Sequence, residues 1–155
     1  PNLLSVTHRG NKIPAVAQIT KQGFVFLFDR VSGKPLFPII EKKVQGSLLK
    51  GEKAWLTQPY PTIPKPYARL SSDIKNNDVN QYADNKEELI QTLTSLNKGW
   101  HDAPSEKGNL ILPGFDGGGE WGGAAADPEG ILYVNSNVMG WIQKMVPSKI
   151  NSLIL

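Results

Sequence analysis

The chain has 155 residues, a net charge of +3, 39% hydrophobic residues and 20% charged residues. This length suits one domain, and the composition excludes a disordered acidic tail. No run reaches the roughly 18 apolar residues that a transmembrane helix needs. The absence of cysteine excludes disulfides, thiolate zinc sites and cysteine nucleophiles. Because His8 and His101 are the only histidines, a multi-histidine metal site is not expected.

The positive charge is concentrated in the first third of the chain. Residues 1–50 contain eight Lys and Arg residues against Asp29 and Glu41. The basic residues are scattered over predicted turns, whereas a nucleic-acid interface clusters them on one face or interleaves them with aromatic residues. We therefore expect no nucleic-acid partner.

Fifteen glycines and twelve prolines favour short strands with tight turns over a helical bundle. Residues 1–40 form the first predicted unit, with strands at residues 3–7, 13–20, 24–28 and 36–40. Four antiparallel strands in about 40 residues match the size of one β-propeller blade.

Residues 41–108 are predicted to be an insertion. The segment PYPTIPKP (59–66) contains four prolines and is expected to be extended, with Trp55, Tyr60 and Tyr67 as possible anchors.

The insertion also contains a predicted helix, at residues 86–98. Asn85 is a suitable N-cap, with Glu88 at the capping-box position, and Gly99 can take the left-handed C-cap. Leucines recur at helical spacing, at positions 89, 93 and 96.

Residues 109–155 form the second predicted unit. Its strands are predicted at residues 109–112, 122–126, 131–135 and 141–146, with a turn at Asp127-Pro128-Glu129-Gly130. Two blades cannot close a ring, because propellers have about four to eight. The chain is therefore expected to be a fragment of a propeller, unless it is another small β-rich fold.

Lys21 is the first candidate site residue. It follows a strand and precedes Gly23, and a lysine at a strand end in a cavity can stabilise a developing oxyanion. The alternative is an ordinary solvated lysine on a turn.

The second candidate is the glycine-rich segment 114–123, in which six of ten residues are glycine. It is not a P-loop, since no Lys-Ser/Thr follows. Either its backbone approaches a flat group on which Trp121 stacks, or it is a structural loop with a core tryptophan. Its carboxylates Asp116 and Glu120, together with Asp127, match no calcium-loop spacing, so no metal site is assigned.

Four segments in order carry a family resemblance: IPAVAQITKQGFVFLFDRVSGKPLFP (13–38), TQPYP (57–61), APSEKGNLILPG (103–114) and EWGGAAADPEGILYVNSN (120–137). Together they resemble the pyrroloquinoline-quinone (PQQ) dependent dehydrogenases, in their glucose-dehydrogenase-like branch. The resemblance implies a mainly β fold, in which this chain supplies about two four-stranded antiparallel blades of an eight-bladed propeller, with one helix in an insertion.

The resemblance also implies a function. The full-length enzyme would oxidise a sugar or alcohol by hydride transfer to PQQ and pass electrons to a quinone or cytochrome acceptor. It would work in the periplasm, either free or associated with the membrane. Lys21 matches the family lysine that hydrogen-bonds the quinone, and Glu120 and Trp121 match positions at the cofactor rim. Where Glu120 stands, alcohol-oxidising relatives commonly have Asn.

The catalytic base and the ligands of a divalent cation, Ca or Mg, would lie upstream, outside this chain. The isolated chain is therefore expected to be inactive, to bind PQQ weakly and to self-associate. The alternative is a non-catalytic propeller module without quinone, which would have no need for both Lys21 and Trp121 at a cofactor rim.

Overall fold

The computed structural model describes residues 1–119 and 122–147. Within them the chain is mainly β, with one α-helix and two short 3₁₀ helices at Ser71–Asp73 and Asn76–Asp78. The strands are β1 (Asn2–His8), β2 (Asn11–Ile19), β3 (Val25–Asp29), β4 (Ile39–Lys43), β5 (Thr57–Pro61), β6 (Asn109–Ile111), β7 (Ala124–Ala126), β8 (Leu132–Val134) and β9 (Trp141–Gln143), and the helix is α1 (Lys86–Ser95). No helix among the described residues has the length and apolar character needed to cross a membrane.

The central sheet has the order β1-β2-β3, and both strand pairs are antiparallel. Alternate residues of β2 point to one face, as strand geometry requires, and there Ala15 and Ala17 are completely buried. They form the core cluster with Leu4, Ile19 and Val25.

A second sheet packs against this core. It is the antiparallel β7–β8 hairpin, which contributes the partly buried Ala124, Leu132 and Val134. The Asn2 side-chain amide donates a hydrogen bond to the carbonyl of Ala124 and so fixes the edge of β1 against β7. Neighbouring antiparallel sheets in contact, with one helix in an insertion, agree with the predicted partial propeller.

The fourth strand of the first unit was predicted wrongly. After β3 the chain returns beside Phe28 only as a short bridge at Pro35. Strand β4 begins at Ile39 and pairs with β5 in a separate two-stranded sheet. Pro35 and Pro38 have no N–H to donate, so a continuous ladder with β3 cannot form there.

The second unit also differs from the predicted four-stranded blade. Its described strands are three residues long and form two separate ladders, β6–β9 and β7–β8. Glycine-rich chain at residues 114–119 separates β6 from β7 and supplies few side chains for sheet packing.

Helix α1 ends at Ser95, three residues before the predicted end. Leu96 is extended and buried, because it packs into the fold and no longer continues the helical stripe. Asn85 makes no side-chain capping hydrogen bond, so the predicted capping box is absent. Gly99 is not left-handed, and the side chain of Asp102 fills the space beside it.

Candidate functional site

Lys21 lies on the tight turn that joins β2 to β3. The turn is closed by hydrogen bonds from Thr20 N to Phe24 O at 2.8 Å and from Gly23 N to Thr20 O at 3.0 Å. Gly23 has a φ of +91° and a Cβ there would lie 2.9 Å from Ala68 Cβ, so glycine is needed on both counts. Lys21 and Gln22 occupy the exposed middle of the turn.

The glycine-rich segment packs against this turn. Gly118 N donates to the carbonyl of Lys21 at 3.2 Å. A Cβ on Gly117 would stand 2.7 Å from Lys21 Cγ, so only glycine permits this approach. The structure therefore brings together the two features that the sequence analysis selected separately. At residues 117–119 the glycines are explained by close contacts within the protein, and a flat ligand is not required to account for them.

Tyr67 connects the two segments through its hydroxyl group. Tyr67 Oη donates to Thr20 O at 2.6 Å and accepts from Gly119 N at 3.0 Å. Its backbone N–H donates to Gly23 O at 2.8 Å. Gly118 and Gly119 lie close to the phenol ring, so larger residues at either position would displace it.

A cleft of about 240 Å³ opens beside the turn, and we call it the Lys21 cleft. Among the described residues that line it, Lys21 carries the one full positive charge. The cleft is also lined by Gln22, Trp100, His101, Asp102, Leu110, Ile111, Leu112 and Phe115. The cleft is therefore an apolar trough with polar groups at its edge, the usual chemistry of a small-molecule site.

An aromatic cluster holds Trp100, one of the residues that line the cleft. Trp100 packs edge-on against Phe24 and Tyr60, with ring centroids 6.0 Å and 5.3 Å apart. Lys42 Nζ lies 4.5 Å from the centre of the Tyr60 ring and 5.1 Å from that of Trp100, within cation–π range. The cluster fixes residue 100 of the insertion onto the central sheet.

Two side chains in the cleft wall, His101 and Trp100, have unusual environments. The His101 ring packs edge-on against Trp100 at 4.5 Å. Although the residue is exposed at the cleft edge, this partial loss of water lowers the pKa of the His101 imidazole. Trp100 Nε1 is buried and has no hydrogen-bond partner among the residues that the structure describes.

The structure locates only some of the predicted site residues. Lys21 lies at the cleft, whereas Glu120 and Trp121 lie outside the described residues, so their assignment to a cofactor rim stays a prediction. Asp127 accepts hydrogen bonds from Ile131 N and Tyr133 Oη within its own hairpin turn. No group of metal-ligating side chains occurs in residues 1–119 and 122–147.

Sequence reasoning missed the role of Trp100 and His101. It proposed Tyr60 and Tyr67 only as general anchors, and both are anchors. The third suggested anchor, Trp55, is 77% exposed in this chain. The adjacent Trp100-His101-Asp102 triplet was the available signal, because large aromatic and titratable residues in a non-periodic loop often carry function.

The residues present fit one side of a site for the PQQ implied by the resemblance. PQQ is a planar anionic quinone, which needs a cation and apolar ring contacts. Lys21 and Phe115 line the same cleft and both are exposed. Trp100 also lines the cleft, and its aromatic ring adds to the apolar contacts there.

The comparisons with known proteins agree with this fit. The chain is 28% identical to quinoprotein glucose dehydrogenase A of Acinetobacter calcoaceticus over 97% of its length, covering 20% of that protein. It is 30% identical to the glycerol dehydrogenase large subunit of Gluconobacter thailandicus (90% of this chain, 19% of the relative). It is 32% identical to the quinate/shikimate dehydrogenase (quinone) of Acinetobacter baylyi (91% and 18%).

The chain thus spans about a fifth of the length of the curated relatives it matches. No solved structure gives a significant match. The family described as "PQQ: Glucose/ethanol/alcohol dehydrogenase, beta-propeller domain" matches residues 1–153. With nearly the whole chain covered, and with the antiparallel sheets and the Lys21 cleft in place, this chain belongs to the PQQ-dependent dehydrogenase propeller family.

Proposed function

We propose that this chain is part of a PQQ-dependent dehydrogenase that oxidises a sugar or alcohol, with Lys21 beside the quinone. The observation that carries the proposal is the position of Lys21 at the cleft edge, with the glycine-rich segment packed on its backbone. The printed names of the relatives include glucose, glycerol and quinate dehydrogenases, and these define the substrate range to test.

Bound PQQ would supply the acceptor for a hydride from the alcohol carbon, while the hydroxyl proton would go to the catalytic base outside this chain. Lys21 would hold a positive charge where negative charge develops on the acceptor, so it stabilises the transition state more than the ground state. The turn, the glycine contacts and the Tyr67 hydrogen bonds fix the Lys21 backbone before reaction, which reduces the reorganisation needed during catalysis.

The remaining parts of the proposed function depend on the full-length protein. We propose that a divalent cation and the catalytic base are bound by residues outside this chain, that a quinone or cytochrome takes up the electrons, and that the protein works in the periplasm. Glu120 and Trp121 are proposed to contact the cofactor rim.

The isolated chain is proposed to be inactive and to bind PQQ weakly, because a cofactor of this size needs walls from several blades. Exposed apolar residues such as Val31 and Leu48 favour self-association. Light scattering that shows a strict monomer would contradict the self-association, and tight PQQ binding by titration would contradict the weak binding.

The main test is Lys21→Ala in the full-length enzyme saturated with PQQ. We expect kcat to fall about 100- to 1000-fold, as for loss of one oxyanion-stabilising donor, with a much smaller change in KM. Lys21→Arg should rescue only part of kcat, because a planar guanidinium cannot replace a compact ammonium. Lys12→Ala is the matched control, since Lys12 is exposed on the same sheet and does not line the cleft. The Lys21 assignment fails if kcat of Lys21→Ala stays within about threefold of wild type.

A second test separates the position of Lys21 from its charge. Gly117 and Gly123 both have positive φ, +80° and +60°, so alanine strains the backbone at either site. Only at Gly117 would the new methyl collide with Lys21, because nothing lies within 4 Å of a Cβ at Gly123. We expect kcat of Gly117→Ala to be about tenfold or more below kcat of Gly123→Ala. The reason is that a 1 Å misplacement of a reacting group can cost about 100-fold in rate, so even a smaller shift of Lys21 is measurable. Equal kcat values in the two variants would count against a positioned Lys21.

A further inference from the structure

The proposed function uses only the Lys21 end of the cleft. Trp100, His101 and Asp102, which belong to the insertion, form another wall of the cleft. None of these residues supports the central sheet through strand pairing. Packing in the aromatic cluster accounts for the position of Trp100, whereas the placement of His101 needs a separate explanation.

The loop that bears this wall is held rigidly from behind. Asn109 is 1% exposed, and its Nδ2 donates to the carbonyls of Ala103 at 2.9 Å and Asp102 at 3.3 Å. Ser105 Oγ donates to Asn109 Oδ1 at 2.6 Å. Asp102 Oδ2 accepts from Gly99 N at 2.7 Å, which closes the loop around residue 101.

Within this rigid loop His101 adopts a left-handed backbone with φ of +56°. Non-glycine residues are uncommon in this region, and their strain is found preferentially at functional sites. Glycine would adopt the same φ without strain. Arg9 adopts a similar φ of +50° on the exposed β1–β2 turn. His101 combines this backbone conformation with a place in the cleft lining, and the two together favour a use for its side chain.

The chemistry of the cleft defines the ligand class. The lowered pKa of His101 leaves a neutral imidazole near pH 7, which both donates and accepts hydrogen bonds. Leu110, Ile111 and Leu112 give an apolar floor. The volume of about 240 Å³ lies below the roughly 300 Å³ at which pockets for drug-sized ligands begin, and so suits one six-membered ring. Bound PQQ would therefore reach the cleft only at Lys21 and lie mostly outside it.

We propose that His101 determines substrate specificity by hydrogen-bonding a hydroxyl group of an uncharged, single-ring polyol, such as a hexose, bound in the Lys21 cleft. This inference rests on the proposed function for the identity of the reaction, but the binding step stands by itself. Asp102 is already engaged by Gly99 N, and Lys21 is assigned to the cofactor, so His101 is the wall residue available to read the substrate.

The test compares His101→Gly, His101→Gln and the control Glu106→Gln in the full-length protein. Glu106 is exposed on the same loop and does not line the cleft. Five quantities are measured: KM and kcat for D-glucose, glycerol and quinate, the Kd of D-glucose for quinone-free protein by calorimetry, the Kd of PQQ, and Tm.

For His101→Gly we expect KM and Kd for D-glucose to rise about tenfold, as for loss of one hydrogen bond, with kcat within about threefold. The Kd of PQQ should not change, and Tm should stay equal or rise because backbone strain is relieved. His101→Gln, which keeps one donor and one acceptor, should recover part of the affinity. Glu106→Gln should behave as wild type.

The inference is overturned if D-glucose binding is unchanged in His101→Gly, if Tm falls with binding so that the histidine is only structural, or if quinate but not D-glucose is affected. The proposed function fails separately if the wild-type protein loaded with PQQ oxidises none of the three alcohols. In that case a loss of D-glucose binding in quinone-free His101→Gly would still support the binding site.

Discussion

Two turns of the same local design occupy different environments. After β3, Asp29 Oδ1 accepts hydrogen bonds from Val31 N and Ser32 N, both at 2.8 Å. Between β7 and β8, Asp127 Oδ1 accepts from Ile131 N at 2.8 Å. Each turn has a left-handed glycine, Gly33 with φ of +71° in the first and Gly130 with φ of +89° in the second.

The difference lies in what surrounds each glycine. Nothing lies within 4 Å of a Cβ built at Gly33, whereas one at Gly130 would overlap the carbonyl oxygen of Ser5 in β1. The first turn therefore only reverses the chain, while the second also docks the β7–β8 hairpin onto the central sheet. An aspartate followed by a left-handed glycine thus only reverses the chain in one place and also docks a hairpin in the other.

The strongest test of this comparison replaces each glycine by alanine. Gly33→Ala should lower the free energy of unfolding by about 1–2 kcal/mol, the cost of a left-handed alanine. Gly130→Ala adds a clash with backbone, which cannot rotate away, and should cost about 1–3 kcal/mol more, as overpacking does. Urea unfolding of the full-length protein measures both. Equal midpoints for the two variants would mean that the hairpin is not docked on β1.

A second test uses the two carboxylates. Backbone N–H groups of Ser32 and Val31 lower the pKa of Asp29 below its ordinary value of 3.8. The N–H of Ile131, followed by the Tyr133 hydroxyl, lowers the pKa of Asp127. Because the folded pKa values lie below the unfolded ones, the stabilisation is fully present above about pH 4 and is lost as pH falls through the folded pKa values.

We therefore expect the urea midpoint to decrease between about pH 4 and pH 2. Asp29→Asn and Asp127→Asn should each make this decrease shallower, since an amide does not titrate. A pH profile of either variant that superimposes on wild type would show that the corresponding turn does not contribute to the acid sensitivity.

The smallest expected effect comes from a tyrosine hydroxyl that contacts the aspartate of the second turn. Tyr133 Oη donates to Asp127 Oδ2 at 2.9 Å. Tyr133→Phe should move the pKa of Asp127 part of the way back towards its ordinary value, while that of Asp29 stays unchanged. Carbon NMR of aspartate-labelled protein would report both carboxyls in one titration. An unchanged pKa of Asp127 in Tyr133→Phe would mean that the backbone N–H groups alone lower this pKa.

Much of the fold could be predicted from local patterns. The long central strands were placed within two residues of their ends because turn residues bound them on both sides. The pairing of β4 with β5 was missed, because partner choice depends on which N–H groups the neighbouring prolines leave available. The predicted end of α1 was wrong because Leu96 continues the helical spacing of leucines in the sequence, whereas in the structure it is extended and packs in the core.

The candidate site was only partly predictable for a related reason. Lys21 and the glycine-rich segment are recognisable from composition, but their contact is created by Gly117, Gly118 and the hydroxyl of Tyr67. The His101 wall depends on a buried Asn109 network that leaves no periodic trace in the sequence. Local rules identify turns and strands, whereas the site is formed by contacts between distant turns.

The Tyr67 hydroxyl also bears on the order in which the protein folds. Its two hydrogen bonds connect partners 47 and 52 residues apart in the chain. Contacts between residues so far apart require closure of long loops, which is slow and costly in entropy compared with formation of the β1–β2 and β2–β3 hairpins. During synthesis the Lys21 turn emerges first, Tyr67 later and Gly119 last. The Lys21 cleft is therefore expected to be among the last parts of this chain to form.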